Sequence, residues 1–399
     1  MKGSVPARAL LDARHGSALG AAIVAGVVSV SVVATLPALA RTTTGTRWPR
    51  WFDVVSSHVR ELGAALLADL ADPVFYGTAA AGLLMLAGGA FAHAIRDRNV
   101  AWRGFAVACG SGLWAWMVTS GLLALVLSHI AWGWTRSADI PWQPLFVPFV
   151  SVSPAVVLMY GKGWRVALTA AILGAGLTTP AAIATAAFVC TPLRIPQVAG
   201  FTAAMAVTAY TSFAVCHRLP WLATRSRTYA NEARPDGRST VPSPGPQSAT
   251  WILRRVLADF TEAPFFGNEW AGAGLIVGAV LAYLAIHPSE GIPALFPQIL
   301  GAQLVAGTLS VIVWRGRWRV HGWYPSFVPI VSVAPAAVIA FSAAPIPTGI
   351  ALVLGVLAGP PLAFRLGDLL PRHVHRFVGC VGSMAICAAT IVPAIGLFL

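Results

Sequence analysis

The sequence predicts an all-α polytopic membrane protein. An N-terminal helix precedes two inverted five-helix repeats, about 11 transmembrane helices in all, with proline-broken helices in each repeat. Three observations carry this reading: the composition, the spacing of apolar runs and an internal duplication. Of 399 residues 57% are hydrophobic and 10% charged, with mean hydropathy +0.73. Soluble domains carry about 25% charged residues, and one soluble core of this length cannot hide so much apolar surface. The composition excludes a soluble enzyme, a disordered chain and a disulfide-stapled secreted module.

Apolar runs long enough to cross a hydrocarbon slab of ~30 Å fall at 17–40, 74–95, 104–130, 143–160, 166–190, 198–216, 270–287, 294–314, 324–342, 346–364 and 377–398. Those at 143–160 and 346–364 are short and rich in proline. The first run has a basic lead and ends in Ala38-Leu39-Ala40, the form of a signal-peptidase site. Its length favours an uncleaved helix over a signal peptide. Residues 1–59 then form a transmembrane or signal-like segment with an external loop. The first membrane repeat spans 60–216, a polar linker 217–255, and the second repeat 256–399.

Orientation follows from the basic residues. With the N-terminus inside, 21 of the 27 lysines and arginines fall in cytoplasmic segments and six outside, as the positive-inside rule requires. The expected location is therefore the cell membrane, with the N-terminus and the 217–255 linker cytoplasmic. The net charge of +13 is spread over short loops, so it marks topology and not a nucleic-acid footprint. Seven arginines from Arg218 to Arg255 flank a stretch with Pro242, Pro244 and Pro246 among Ser and Gly, which reads as a linker without a core.

The duplication is explicit. Trp142–Val157 reads WQPLFVPFVSVSPAVV and Trp323–Val338 reads WYPSFVPIVSVAPAAV, identical at eleven of sixteen positions at an offset of 181. Upstream, Leu67-Ala68-Asp69 matches Leu257-Ala258-Asp259 at an offset of 190; downstream, Gly200 and Met205 match Gly379 and Met384. Five segments per half, an odd number, invert one half relative to the other, an architecture frequent in secondary transporters. In outline this 5+5 plan, with an amphipathic lead-in to each half, resembles urea-transporter-type channels. Their signature sequences are absent, and the resemblance carries over no residues.

Candidate chemistry lies where proline recurs inside a membrane segment: Pro144, Pro148 and Pro154 in one half, Pro325, Pro329 and Pro335 in the other. Proline removes a backbone donor and clashes with the preceding turn, and unpaired carbonyls are tolerated in a bilayer only against protein or a wet cavity. Ser151 and Ser332, with Ser153, place hydroxyls beside those breaks, and Thr178-Thr179-Pro180 forms a second break. The substrate-binding set expected from sequence is therefore Pro148, Ser151, Ser153, Pro154, Thr178, Thr179, Pro329, Ser332 and Pro335. The bland alternative has the prolines kinking packed helices and the serines bonding to their own turns.

Carboxylates are scarce. Asp69, Asp72, Asp259 and Glu262 sit in amphipathic stretches and are expected at the interface, as are His93 and His129. Five cysteines without a CxxC pair, and an Arg-flanked His373-x-His375 without further ligands, predict no metal and no cofactor. No nucleotide-binding or hydrolase motif occurs, so no enzyme is expected. Gly274-x-x-x-Gly278 and Gly355-x-x-x-Gly359 are too common a pattern in apolar sequence to weigh. The function expected is a transporter or channel moving a small solute through a site at the repeat interface. The competing reading is a non-transporting membrane subunit or scaffold that recruits a partner through the linker. Lipid bilayer and an unidentified solute are the expected partners, nucleic acid is not, and homo-oligomerisation stays open.

Overall fold

The computed structural model describes residues 7–42, 59–71, 76–98, 100, 102–135, 144–222, 248–286, 288 and 291–399. Trp142, Asp72, most of the external loop and linker residues 223–247 lie outside the described residues. Among those described there is no strand. The helices are α1 (Ala7–Thr42), α2 (Val59–Asp69), α3 (Ala79–Ala94), α4 (Trp114–Trp132), α5 (Val152–Tyr160), α6 (Trp164–Leu193), α7 (Gln197–Arg218), α8 (Ala249–Asp259), α9 (Glu269–Ile286), α10 (Phe296–His321), α11 (Val333–Ala340), α12 (Pro345–Leu369) and α13 (Phe377–Gly396).

Eight of these are long and apolar enough to cross a membrane: α1, α4 (extended by a short turn to Thr135), α6, α7, α9, α10, α12 and α13. The chain is an all-helical, multi-pass membrane protein. The other three of the eleven expected spans are not single helices of membrane-crossing length. Helix α3 has 16 residues, and the runs at 143–160 and 324–342 contain only the nine-residue α5 and the eight-residue α11. At 1.5 Å per residue these are about 13 Å long, less than half the hydrocarbon slab. The proline-rich 346–364 run, by contrast, is part of an unbroken 25-residue helix.

Both short helices are produced by the same local chemistry. Ahead of α5 the chain makes tight turns, with Val147 N–H donating to Pro144 O (3.4 Å) and Phe149 N–H to Phe146 O (2.9 Å). Ahead of α11, Val328 N–H donates to Pro325 O (3.3 Å) and Ile330 N–H to Phe327 O (3.0 Å), position for position. Pro148 and Pro329 supply no N–H to continue these turns as a helix. The break falls at Ser151 (φ −140°, ψ −103°) and Ser332 (φ −129°, ψ −85°). Pro154 and Pro335 then stand third in their helices, where a backbone N–H has no intrahelical partner to lose.

Helix directions follow from contacts. Along α4 and α6, Trp116 meets Trp164 (ring centroids 5.4 Å), Ser120 Oγ donates to Ala167 O (2.9 Å) and Ser128 pairs with Thr179 (2.8 Å). The two run parallel, so residues 133–163 return the chain along the length of both. Helices α10 and α12 repeat this: Ala306 clusters with Leu352, and His321 lies 4.6 Å from Phe364. Matched indoles pin both pairs, with Trp132 Nε1 donating to Ala175 O (2.9 Å) and Trp314 Nε1 to Val356 O (2.8 Å).

Two helix pairs join the halves. Helix α3 packs on α9 with Ala80 against Gly278, Leu84 against Gly274 and Gly88 against Trp270, which makes the pair antiparallel. Gly274-x-x-x-Gly278 is thus the seam itself, a role its commonness concealed. Helices α7 and α13 are also antiparallel: Phe213 stacks edge-on to Phe377 (6.4 Å), while Val198 packs into the cluster of Ile391 and Ile395. The lead-in helices dock identically, the carbonyl of Leu67 lying against Gly82 and that of Leu257 against Gly272. Helix α1 packs chiefly on α10, with Val33 and Ser29 against Gly301, and also touches α8 and α9.

A methyl group at Gly278 would fall 2.5 Å from Ala80 O and 2.6 Å from Ala81 Cα, both backbone, whereas one at Gly316 meets nothing within 4 Å. Gly278→Ala should destabilise the protein by about 1–3 kcal/mol through overpacking, and Gly316→Ala should be neutral or stabilising. Thermal unfolding in detergent distinguishes them; equal effects would refute the seam.

Candidate functional site: a cavity between the two halves

A cavity of about 680 Å³ lies between the halves. Its walls are drawn in matched pairs from the two copies: Leu70 with Phe260, Met85 with Leu275, Phe146 with Phe327, Val150 with Val331, and Met205 with Met384. The broken elements reach it through the apolar residues between their prolines.

The serines expected to line it are elsewhere. Ser151, Ser153 and Ser332 are fully buried. Ser151 Oγ donates to Val147 O (2.5 Å) and Ser332 Oγ to Val328 O (2.6 Å), each one turn back, and Ser153 Oγ donates to Ala170 O (3.3 Å) on α6. Their hydroxyls satisfy carbonyls at and beside the breaks. Thr178 and Thr179 are buried within the first half, bonded to Thr208 (3.1 Å) and Ser128 (2.8 Å). None of these five lines the cavity. Pro148 packs under Gly174, where a Cβ would come within 2.9 Å of its ring, and Pro329 lies beside Gly359. Pro154 and Pro335 are buried in α5 and α11.

The carboxylates depart furthest from expectation. Asp259 is 1% exposed and Arg255, one helical turn before it, 3%. Arg255 Nε donates to Asp259 Oδ1 (2.8 Å), and its Nη2 donates to Glu262 Oε2 (2.5 Å). Ser326 Oγ donates to Asp259 Oδ2 (2.8 Å), Trp318 Nε1 to Ser326 Oγ (3.1 Å), and Trp323 Nε1 to Glu262 Oε1 (2.9 Å). The guanidinium also lies over the rings of Phe105 (4.9 Å) and Trp318 (4.8 Å). Two carboxylates and one cation are thus held away from water, which is sustainable only with their hydrogen bonds made. Next to them Arg254 pairs with Glu269 (2.7 Å), whose other oxygen accepts from Phe105 N–H (2.7 Å) in the first half.

In the first half Asp69, the counterpart of Asp259, is 4% exposed and has His129 Nε2 3.0 Å away. Tertiary packing encloses Asp69 and Asp259 and leaves little of the Glu262 and His129 side chains exposed, a covering that the expectation of interfacial charges did not include. Only the charge pattern Arg-x-x-x-Asp, a turn apart on α8, signalled the pair in the sequence. His373 stacks on His217 (4.8 Å), and among the described residues no group of His, Cys, Asp and Glu is arranged to hold a metal.

At the α12–α13 corner His375 packs edge-on to Phe265 (5.7 Å), and its Nδ1 accepts the Phe377 N–H (3.1 Å) that opens α13. Burial, helped by the neighbouring Arg376 charge, lowers its pKa to about 4. Because the unfolded chain binds this proton more tightly, the contribution is complete above the ordinary value of about 6.5 and is lost as pH falls toward 4. Wild-type melting temperature should drop between pH 7 and pH 5 by more than that of His375→Asn; identical profiles would remove His375 from the argument. Arg255→Gln leaves Asp259 and Glu262 buried without a counter-charge, and should cost about 3–5 kcal/mol. The exposed Arg317→Gln should lie within about 0.5 kcal/mol of wild type in the same unfolding assay.

Comparison with protein-family models, with curated proteins and with solved structures returned no match.

Proposed function

We propose that the protein is a transporter or channel of the cell membrane, moving a small solute through the cavity between two inverted repeats. The observation that carries this is the cavity itself: about 680 Å³, walled by equivalent residues of both copies, where alternating access would need its site. The inversion is supported by the antiparallel packing of α3 on α9 and of α7 on α13. The count of eleven crossings is supported by the parallel pairs α4–α6 and α10–α12, since the broken segment inside each pair must then traverse the slab. In this reading the prolines at 148, 154, 329 and 335 are the points at which those segments flex. The serines and threonines keep the freed backbone groups satisfied while they do so. The N-terminus and the linker are assigned to the cytoplasm by charge, and no catalytic step is assigned.

The test is Met205→Cys in a chain whose five native cysteines are replaced, in sealed vesicles. A charged, membrane-impermeant thiol reagent should modify position 205 when added to either face, in separate experiments. Modification from one face only, or from neither, would favour a non-transporting subunit.

A further inference from the structure

The cavity's lining also identifies a class of ligand. We propose that it binds a long-chain carboxylate, with the head at Arg194 and the single hydrocarbon tail lying between the halves; this deepens the transport reading by naming its solute.

The argument is one of charge and shape. Two charged side chains reach the cavity, Glu262 at one end and Arg194 at the other. Glu262 is spoken for: one oxygen accepts from Arg255, the other from the Trp323 indole. Arg194 makes no ion pair among the described residues. It stands at the α6–α7 corner, in the left-handed region at φ 52°, its own N–H donating to Thr191 O (3.3 Å) and the Ile195 N–H to Cys190 O (3.1 Å). The corner is pinned, and Arg194 and Gln197, both exposed, line the cavity there. Thr191 and Thr202, also in the lining, already donate to Ala186 O and Val198 O. What remains to meet a ligand is therefore a single positive charge and an amide at one end.

Beyond that end the walls are apolar, including Phe201, Met205, Phe327, Val381 and Met384. Unbranched thioether side chains adapt to a flexible chain. An inorganic anion would answer the guanidinium and leave these walls unfilled. A neutral hydrocarbon would fill them and make no use of the exposed cation at the mouth. The volume falls within the ~300–1,000 Å³ typical of sites for one small molecule, which suits one tail. A carboxylate is the planar acceptor that the guanidinium fork matches with two hydrogen bonds.

The experiment uses the full chain purified in a maltoside detergent, with the fluorescent polyene fatty acid cis-parinarate as the probe. Saturable binding displaced by oleate is expected. Arg194→Gln should weaken it about tenfold or more, as loss of a charge-assisted contact does, while Arg194→Lys should keep most of it. Oleyl alcohol, with the same tail and no charge, should compete at least about tenfold worse than oleate. Met205→Trp, which fills the cavity and leaves Arg194 in place, should abolish binding with the fold checked by its melting curve. Absent or unsaturable binding, an unaffected Arg194→Gln protein, or equal competition by oleyl alcohol would overturn the proposal. So would dioleoyl phosphatidylglycerol displacing the probe better than oleate, which would make the ligand a bilayer lipid. Two-sided thiol access at position 205 without parinarate binding would leave transport standing and the carboxylate overturned. Binding with one-sided access would have the reverse meaning.

Discussion

The architecture depends on a single constraint: a backbone amide or carbonyl in hydrocarbon must find its partner inside the protein. Proline at 148 and 329 makes that impossible for a straight helix, so each segment becomes a run of turns feeding a half-length helix. Such an element survives only if enclosed. Leu145, Val147, Ser151, Val328 and Ser332 are accordingly shut off from the surroundings, and α4, α6 and α7 wrap one copy as α10, α12 and α13 wrap the other. The long helices are walls around two segments that could not otherwise exist.

Enclosure in turn dictates where glycine stands. Gly174 and Gly355, one residue type at one register, let α6 and α12 close onto the broken elements: a Cβ on the first would strike Ser153 and Pro148, on the second Val333. Between the halves Gly274 and Gly278 bring α9 against the backbone of α3. With no water between them to exclude, helices in a membrane associate through such close contact. Tight seams on α3–α9, and the bulkier Met and Phe side chains elsewhere along the interface, leave the space between the copies unfilled.

How much of this was legible from the residues alone differs by feature. The duplicated WxPxFVPxVSVxPAxV stretch gave the position of both broken elements, because the constraint acts on proline locally. Their length was misjudged, because hydropathy registers that a segment is apolar and not whether it is helical throughout. The serines stand at and beside the breaks, but the direction of a hydroxyl is set by which carbonyl lies nearest: one turn back for Ser151 and Ser332, and on α6 for Ser153. Asp259 and Glu262 read as interfacial because their surroundings are completed by Ser326, Trp318 and Trp323, distant in sequence. The cavity was invisible for the same reason: its lining is drawn from both halves, from Leu70 to Gly396.

The two copies hold their equivalent carboxylates in unequal hands. Asp259 is gripped by a cation that never loses its charge and braced by a serine that one indole holds in turn; Asp69 faces an imidazole. Because the lead-in helices precede the antiparallel α3 and α9, these two arrangements sit at opposite ends of the seam. Any displacement that parts α8 from the 326 turn must carry three charges as a unit or strand one of them in a medium that cannot solvate it. At the equivalent of Arg255 the first half has Ala65. A molecule built from two like halves thus carries a bound triplet of charges that moves together or not at all, and its likeness of chain path is not a likeness of charge.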